Sequence, residues 1–213
     1  MRSVTIGIII VLTLVVAAPA KKKKKPVSTG AFDYYILSLS WSPQHCAETH
    51  DPSTECTGAT HYGFVVHGLW PNANNGKNPE NCPGPPYDPS FATPDLLKVM
   101  PSTTLVQHEW VTHGTCSGLA PKDYFTKILD ARALITIPAE FQSPDHTVSI
   151  APADLRQKFA TANSSIPLTS FSVSDKGKYL EEMRVCLTKD LHPLACIDKG
   201  DTGNKPIQLR PVQ

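Results

Sequence analysis

The sequence predicts an α+β fold: a central antiparallel sheet with helices packed on it, linked by disulfides. Three features predict it. An alternating aromatic strand opens the ordered part, helical periodicity fills the middle, and a strand–turn–strand meander closes the chain.

Taken in order, Asp33-Tyr-Tyr-Ile-Leu-Ser-Leu-Ser-Trp41 alternates and is rich in aromatic and branched side chains, which suit a pleated, half-buried surface. Residues 42–62 are polar, hold two cysteines, and are expected as a surface loop pinned by a disulfide. Gly63-Phe-Val-Val-His67 is a short apolar run expected as a central strand ending at His67. Residues 71–93, rich in Pro, Asn and Gly, form a long loop of the kind that tends to be functional or cross-linked. Helices are expected over 94–100, over Thr104 to about His113, and over 153–162. Another opens at Pro121, where the missing N–H costs nothing, and runs through Tyr124, Phe125, Ile128, Leu129 and Leu134. The last third returns to strands: 168–174, the turn Asp175-Lys-Gly-Lys178, 179–188, and a final strand around 194–197.

The 213 residues suffice for one sizeable domain. Arg2, an apolar run from about Thr5 to Ala18, and the small residues Ala18-Pro19-Ala20 are expected as a cleavable signal peptide over residues 1–20. The run is shorter than the ~20 apolar residues that span a bilayer, so no stable membrane association is expected. Lys21–Lys25 follow directly and work against export, because positive charge favours the cytoplasmic side. Residues 21–31 are expected as a basic flexible tail and 32–213 as the folded domain, a secreted or periplasmic monomer. Asn163-Ser164-Ser165 is a glycosylation sequon, meaningful only in a eukaryotic secretory pathway.

Six cysteines fit an oxidising compartment, and composition alone does not choose among their pairings. No Cys-x-x-Cys pair exists, which argues against a zinc ribbon or a thioredoxin-type site. Of the 20 Lys and Arg residues, Arg2 and Lys21–Lys25 precede Pro26, leaving 14 basic groups against 19 acidic ones. A domain that is net acidic is not built to hold nucleic acid by bulk charge. A polyanion would have to be met locally, or at a pH where histidines are charged.

The stretch HEWVTHGTC (108–116) brings two histidines and a glutamate close in sequence, and superficially resembles a zinc-protease signature. That signature needs histidines four apart; here they are five apart. At ~100° per residue they would stand ~140° apart on a regular helix, so no metal site and no cofactor are expected. Two histidines and a carboxylate suit acid–base chemistry at an RNA phosphodiester instead. That reaction needs a base for the 2′-OH, an acid for the departing 5′-oxygen, and positive charge for the transition state. A second histidine must then come from elsewhere, and His67, opening His67-Gly-Leu-Trp-Pro71, supplies it. Trp70 is a candidate for stacking a base, worth ~1–3 kcal/mol. His45, His50, His61, His146 and His192 are read as structural.

FVVHGLWP (64–71) and HEWVTHGTC together, in this order and spacing, resemble the two active-site segments of the RNase T2 family, the secreted acid ribonucleases. The resemblance covers residues 33–130 most firmly. It implies an α+β fold, RNA as substrate, and metal-independent endonucleolytic cleavage of single strands through a 2′,3′-cyclic phosphate to 3′-phosphate ends. DNA, lacking the 2′-OH, is expected to be spared. By resemblance His113 is the general base, His67 the general acid, His108 a phosphate-binding residue, and Glu109 a stabiliser of the transition state. Trp70 and Asn72 are implied in base binding; Asn72 replaces a commonly acidic residue, which implies an altered base preference. Cys82–Cys116 is implied as a family disulfide, with Cys186–Cys196 as a further pair and Cys46–Cys56 remaining. One departure stands out: Thr112 occupies a position where the family commonly has lysine. It supports the alternative of a catalytically weak or inactive RNA-binding or recognition protein.

Overall fold

In chain order the elements are β1 (Tyr34–Trp41), α1 (Ser42–Thr49), α2 (Thr54–Thr57), β2 (Phe64–Asn72), α3 (Pro94–Leu97) and α4 (Thr103–Thr112). Then follow α5 (Pro121–Ala133), β3 (Val148–Ile150), α6 (Pro152–Ala162), β4 (Phe171–Lys176), β5 (Tyr179–Leu187) and β6 (Ile207–Leu209). This computed structural model describes residues 29–49 and 51–212. The expected signal peptide, the lysine run and His50 lie outside the described residues.

Strand alternation divides the sheet into two chemically different faces. In β1, Tyr35, Leu37, Leu39 and Trp41 point to one face and are almost wholly removed from water; Ile36, Ser38 and Ser40 occupy the other. The antiparallel order β2–β1–β5–β4 propagates this division. Leu69, Met183, Val185 and Phe171 extend the apolar face, onto which Trp110 of α4, Tyr124, Phe125 and Ile128 of α5 and Phe159 of α6 pack in one core. Each such large side chain contributes roughly 2–3 kcal/mol by leaving water. On the other face the register aligns Gly68, Ser38, Arg184 and Ser172 in one row, with Ser40, Glu182 and Ser174 in the next. Small residues leave room there for a site.

Three disulfides link Cys46–Cys56, Cys82–Cys116 and Cys186–Cys196. The second ties the loop after β2 to the residues following α4. Thr29 and Gly30, at the end of the expected tail, hydrogen-bond to the carbonyls of Pro83 and Cys116.

Several expectations need correction. Residues 42–62 hold two helices, because Pro43 falls in the first turn of α1 and the Gln44 amide donates to Glu48 one turn on. The strand expected around 194–197 is absent: Leu194 makes one backbone hydrogen bond to Cys186, and the last strand is β6. Residues 168–170 form a 3-10 turn after Pro167, so β4 begins at Phe171. The sheet is mixed, since β6 meets β5 in parallel at Tyr179–Gln208 after the long segment 188–206 brings it alongside. Asn163 of the sequon is buried; its side-chain nitrogen donates to the carbonyls of Thr136 and Phe159 and its oxygen accepts from the Thr136 N–H. A glycan there would require that network to break.

Candidate active site

The first site residue comes from an irregularity in pairing. Strand β2 continues past His67 to Asn72, but opposite Ser38 and Leu39 stand Gly68 and Val66, so His67 is the extra residue of a β-bulge. Bulges bend a strand and re-aim a side chain. Here His67 is half-buried beside Trp70, ring centroids 5.2 Å apart, on the face carrying Glu182 and Arg184.

Helix α4 supplies the next group. The Ser102 hydroxyl accepts from the Leu105 N–H and caps its start. Val106, Glu109 and Trp110 share the buried side at spacings of three and four. A carboxylate on a core-facing stripe has to meet donors, and Glu109, fully buried, does so at the sheet. Trp70 Nε1 donates to its Oε2 at 2.8 Å, and His67 Nε2 lies 3.6 Å from its Oε1. This contact is possible because residue 68 is glycine; a Cβ there would overlap Glu109 Oε2 and Trp70 Nε1.

At the end of α4 the chain leaves helical geometry. His113 is the C-cap with φ −118 and ψ −45, and a 3-10 turn through Gly114–Cys116 leads to the Cys82–Cys116 disulfide. The helical separation expected for His108 and His113 therefore does not hold. Their rings are 6.3 Å apart, and nitrogens of both lie within 4.8 Å of a Glu109 oxygen and of each other. Spacing in the sequence gives no ground for excluding a shared ligand at these three residues. His113 also approaches Trp70, 5.5 Å between ring centroids, so the indole packs against both histidines.

Strand β5 adds two residues that sequence reasoning missed. His67 Nδ1 lies 2.6 Å from Glu182 Oε1. An ionised carboxylate can only accept, so Nδ1 carries the proton and Nε2 faces the site. Glu182 Oε2 accepts from Arg184 Nε at 2.8 Å and pairs with its Nη2 at 2.7 Å. The Arg184 guanidinium lies over the Trp70 ring, 5.6 Å from its centroid.

These surroundings push the two histidines apart. Burial alone would lower the pKa of His67, but the hydrogen bond it donates to Glu182 and the charges of Glu109 and Glu182 outweigh it and raise it above 6.5. His113 is held down to about 4 by burial and by the neighbouring His108 and His67. Burial pushes Glu109 up to about 7 against the pull of His67 and Trp70. Burial also opposes ionisation of Glu182, yet His67 and Arg184 bring it down to about 2. Near pH 5 to 6, then, one imidazole is charged and the other is neutral. Opposed displacements of this kind mark an acid and a base.

Two cavities flank the pair. One, about 460 Å³, is lined by Trp70, Asn72, Glu80, His113 and Arg184 among others. The other, about 360 Å³, is lined by His45, Asp51, Glu55, His67 and His108. The six predicted site residues His67, Trp70, Asn72, His108, Glu109 and His113 thus gather on one face. Asn72 is buried, and its side-chain amide donates to the Trp70 carbonyl, so it braces the strand as well as lining the cavity. His45, read as structural, faces the cavity of His67 and His108, 3.2 Å from Asp51. No helix among the described residues is long and apolar enough to cross a membrane.

Comparison with known proteins gives the same picture. The Ribonuclease T2 family model matches residues 32–196. A ribonuclease of Aeromonas hydrophila is 42% identical over 103 residues, covering 48% of this chain and 46% of that protein. Extracellular ribonuclease LE of Solanum lycopersicum is 34% identical over 130 residues, 54% of this chain and 56% of that one. The matched segments therefore span about half the length of these curated relatives. Among solved structures, an RNase-related protein from Calystegia sepium superposes with a TM-score of 0.72 at 24% identity, over 85% of this chain and 98% of that one. RNase NT in complex with 5′-AMP gives 0.64 at 24% identity, over 84% and 98%.

Proposed function

The chain belongs to the ribonuclease T2 family, and from that premise we propose that it is an extracytoplasmic endoribonuclease cleaving single-stranded RNA without a metal ion. The observation that carries the reading is the opposed displacement of two histidines around one indole: His67 held protonated, His113 held neutral. In the first step His113 removes the 2′-OH proton, the 2′-oxygen attacks phosphorus, and the P–O5′ bond breaks. His67 Nε2 delivers its proton to the 5′-oxygen, leaving a 2′,3′-cyclic phosphate. In the second step the roles reverse: neutral His67, its Nδ1–H still on Glu182, takes a proton from the water that attacks phosphorus, the P–O2′ bond breaks, and His113 returns its own proton to the departing 2′-oxygen. A 3′-phosphate results. His108, exposed beside His113, faces the phosphate, and Trp70 and Asn72 line the cavity for a base. Both proton transfers are assigned to imidazoles, so no step calls for a metal.

The test is digestion of RNA and of DNA of the same sequence in excess EDTA, with products resolved by mass spectrometry. RNA is expected to be cleaved at an undiminished rate with cyclic phosphate ends appearing first, and DNA to stay intact. Activity abolished by the chelator and restored by a divalent cation would sink the metal-free mechanism and point to His108, Glu109 and His113 as ligands. Tight RNA binding without any cleavage would favour the recognition-protein alternative.

A further inference from the structure

The transition state of this reaction gathers negative charge on the phosphate oxygens, and a preorganised cation is the strongest single means of meeting it. Thr112, the residue next to His113, has no charge to give. Among the described residues, Arg184 is the one Lys or Arg lining either of the two cavities that flank the histidines. It shares its cavity with Trp70 and His113. Its register places it in one row with Ser38 and Gly68, the small residues that floor the site, and its guanidinium lies over the same Trp70 ring that packs against both histidines. Glu182 holds it through Nε and Nη2 alone; among the described residues Nη1 has no protein partner, and the side chain is one-quarter exposed. A guanidinium offers five N–H donors in a fixed fork, so donors remain for a phosphate.

We propose that Arg184 is the catalytic cation of this site: anchored by Glu182 over Trp70, it binds the phosphate and stabilises the charge that builds there. The inference rests on the ribonuclease reading above. The shared carboxylate gives the arrangement its logic. Glu182 turns one oxygen to His67 and the other to Arg184, so a single anion orients both the proton donor and the cation. With His67 protonated, the trio carries one net positive charge in a partly desolvated setting, where it acts more strongly than in water.

The experiment compares wild type, R184Q, R184M and T112K, alone and combined, on RNA and on a dinucleotide. Two neutral replacements are made so that one folded variant suffices, with thermal midpoints checked for each. Loss of the cation is expected to lower kcat by roughly 10²–10³-fold, as removal of an oxyanion donor does. The acid limb should be preserved and the alkaline limb moved, if at all, to higher pH, because the Arg184 charge opposes protonation of His67. Adding T112K should recover at least about tenfold in the R184Q or R184M background by placing a new ammonium beside His113. The same T112K change should add little to the wild type. An R184 variant that cleaves as fast as wild type overturns the inference while leaving the ribonuclease reading intact. So does a slow variant that T112K fails to rescue and whose alkaline limb has moved to lower pH, since Arg184 would then act only by holding Glu182 against His67. A wild type that cleaves no RNA overturns both.

Discussion

Alanine at His67 or at His113 lowers kcat/KM for RNA by roughly 10³–10⁴-fold, near the upper range for a positioned proton-transfer group. The two losses do not multiply, because each histidine acts in the same transition state as its partner; the double variant should be little worse than either single one. The roles can then be told apart by the leaving group. A uridine 3′-phosphodiester of 4-nitrophenol departs without a proton, so it needs the base but not the acid. On that substrate His67→Ala should recover to within about tenfold of wild type, while His113→Ala stays impaired by about 10² or more. The physical ground is the pair of surroundings: Glu182 and Glu109 hold the proton on His67, and burial with its charged neighbours strips it from His113. Recovery of His113→Ala instead of His67→Ala would reverse the assignment.

Gly68→Ala should be nearly as damaging, though it removes no functional group. Its new methyl would overlap Glu109 Oε2 and Trp70 Nε1 and lie 2.7 Å from Glu109 Cδ. Glu109 cannot swing aside, since it is fully buried on α4 beside Trp110. The Trp70–Glu109 hydrogen bond must break, leaving the buried Glu109 carboxyl without its donor, a defect that costs on the order of 1–3 kcal/mol. Because the same indole packs against both histidines, activity should fall by about 10² or more as they lose that support. Thermal unfolding and RNA turnover measure the two effects together. Combining Gly68→Ala with Glu109→Ala should restore part of the stability, by removing the overlap with Glu109 and giving the Trp70 indole room to move off the new methyl, without restoring activity. Wild-type stability and activity in Gly68→Ala alone would show that the close approach is not needed.

Local pattern made much of this molecule legible. Alternation announced β1 and the apolar face of the sheet, and the spacing of Val106, Glu109 and Trp110 is that of an amphipathic helix. The 108–113 stretch stood out because two histidines and a glutamate fall close in sequence. His67 stood out because acid–base chemistry needs a second histidine from elsewhere and both segments together resemble the family's active-site segments. Three things were not legible, each for a reason of distance or register. The bulge that makes His67 an unpaired residue depends on which residues of β1 face it. His113 leaves the helix at its cap, which a helical wheel cannot represent. Glu182 and Arg184 alternate with Met183 and Val185 as charged residues do on any strand with one wet face. Their significance lies in a partner 115 residues away. The signal available was only that two opposite charges flank Met183 within a strand otherwise apolar from 183 to 187.

The proposed reaction requires that this fold set two histidines to opposite protonation states. The measurement closest to it is kcat/KM for a dinucleotide from pH 3 to 9. Activity requires His113 without its proton, so the rate should rise as pH passes about 4. It also requires His67 with its proton, so the rate should fall once pH passes a value above 6.5. The profile should be a bell with a broad maximum on the acid side of neutrality. A maximum above pH 8, or a rate still climbing through pH 7 to 9, would contradict the assignment of His67 as acid and His113 as base.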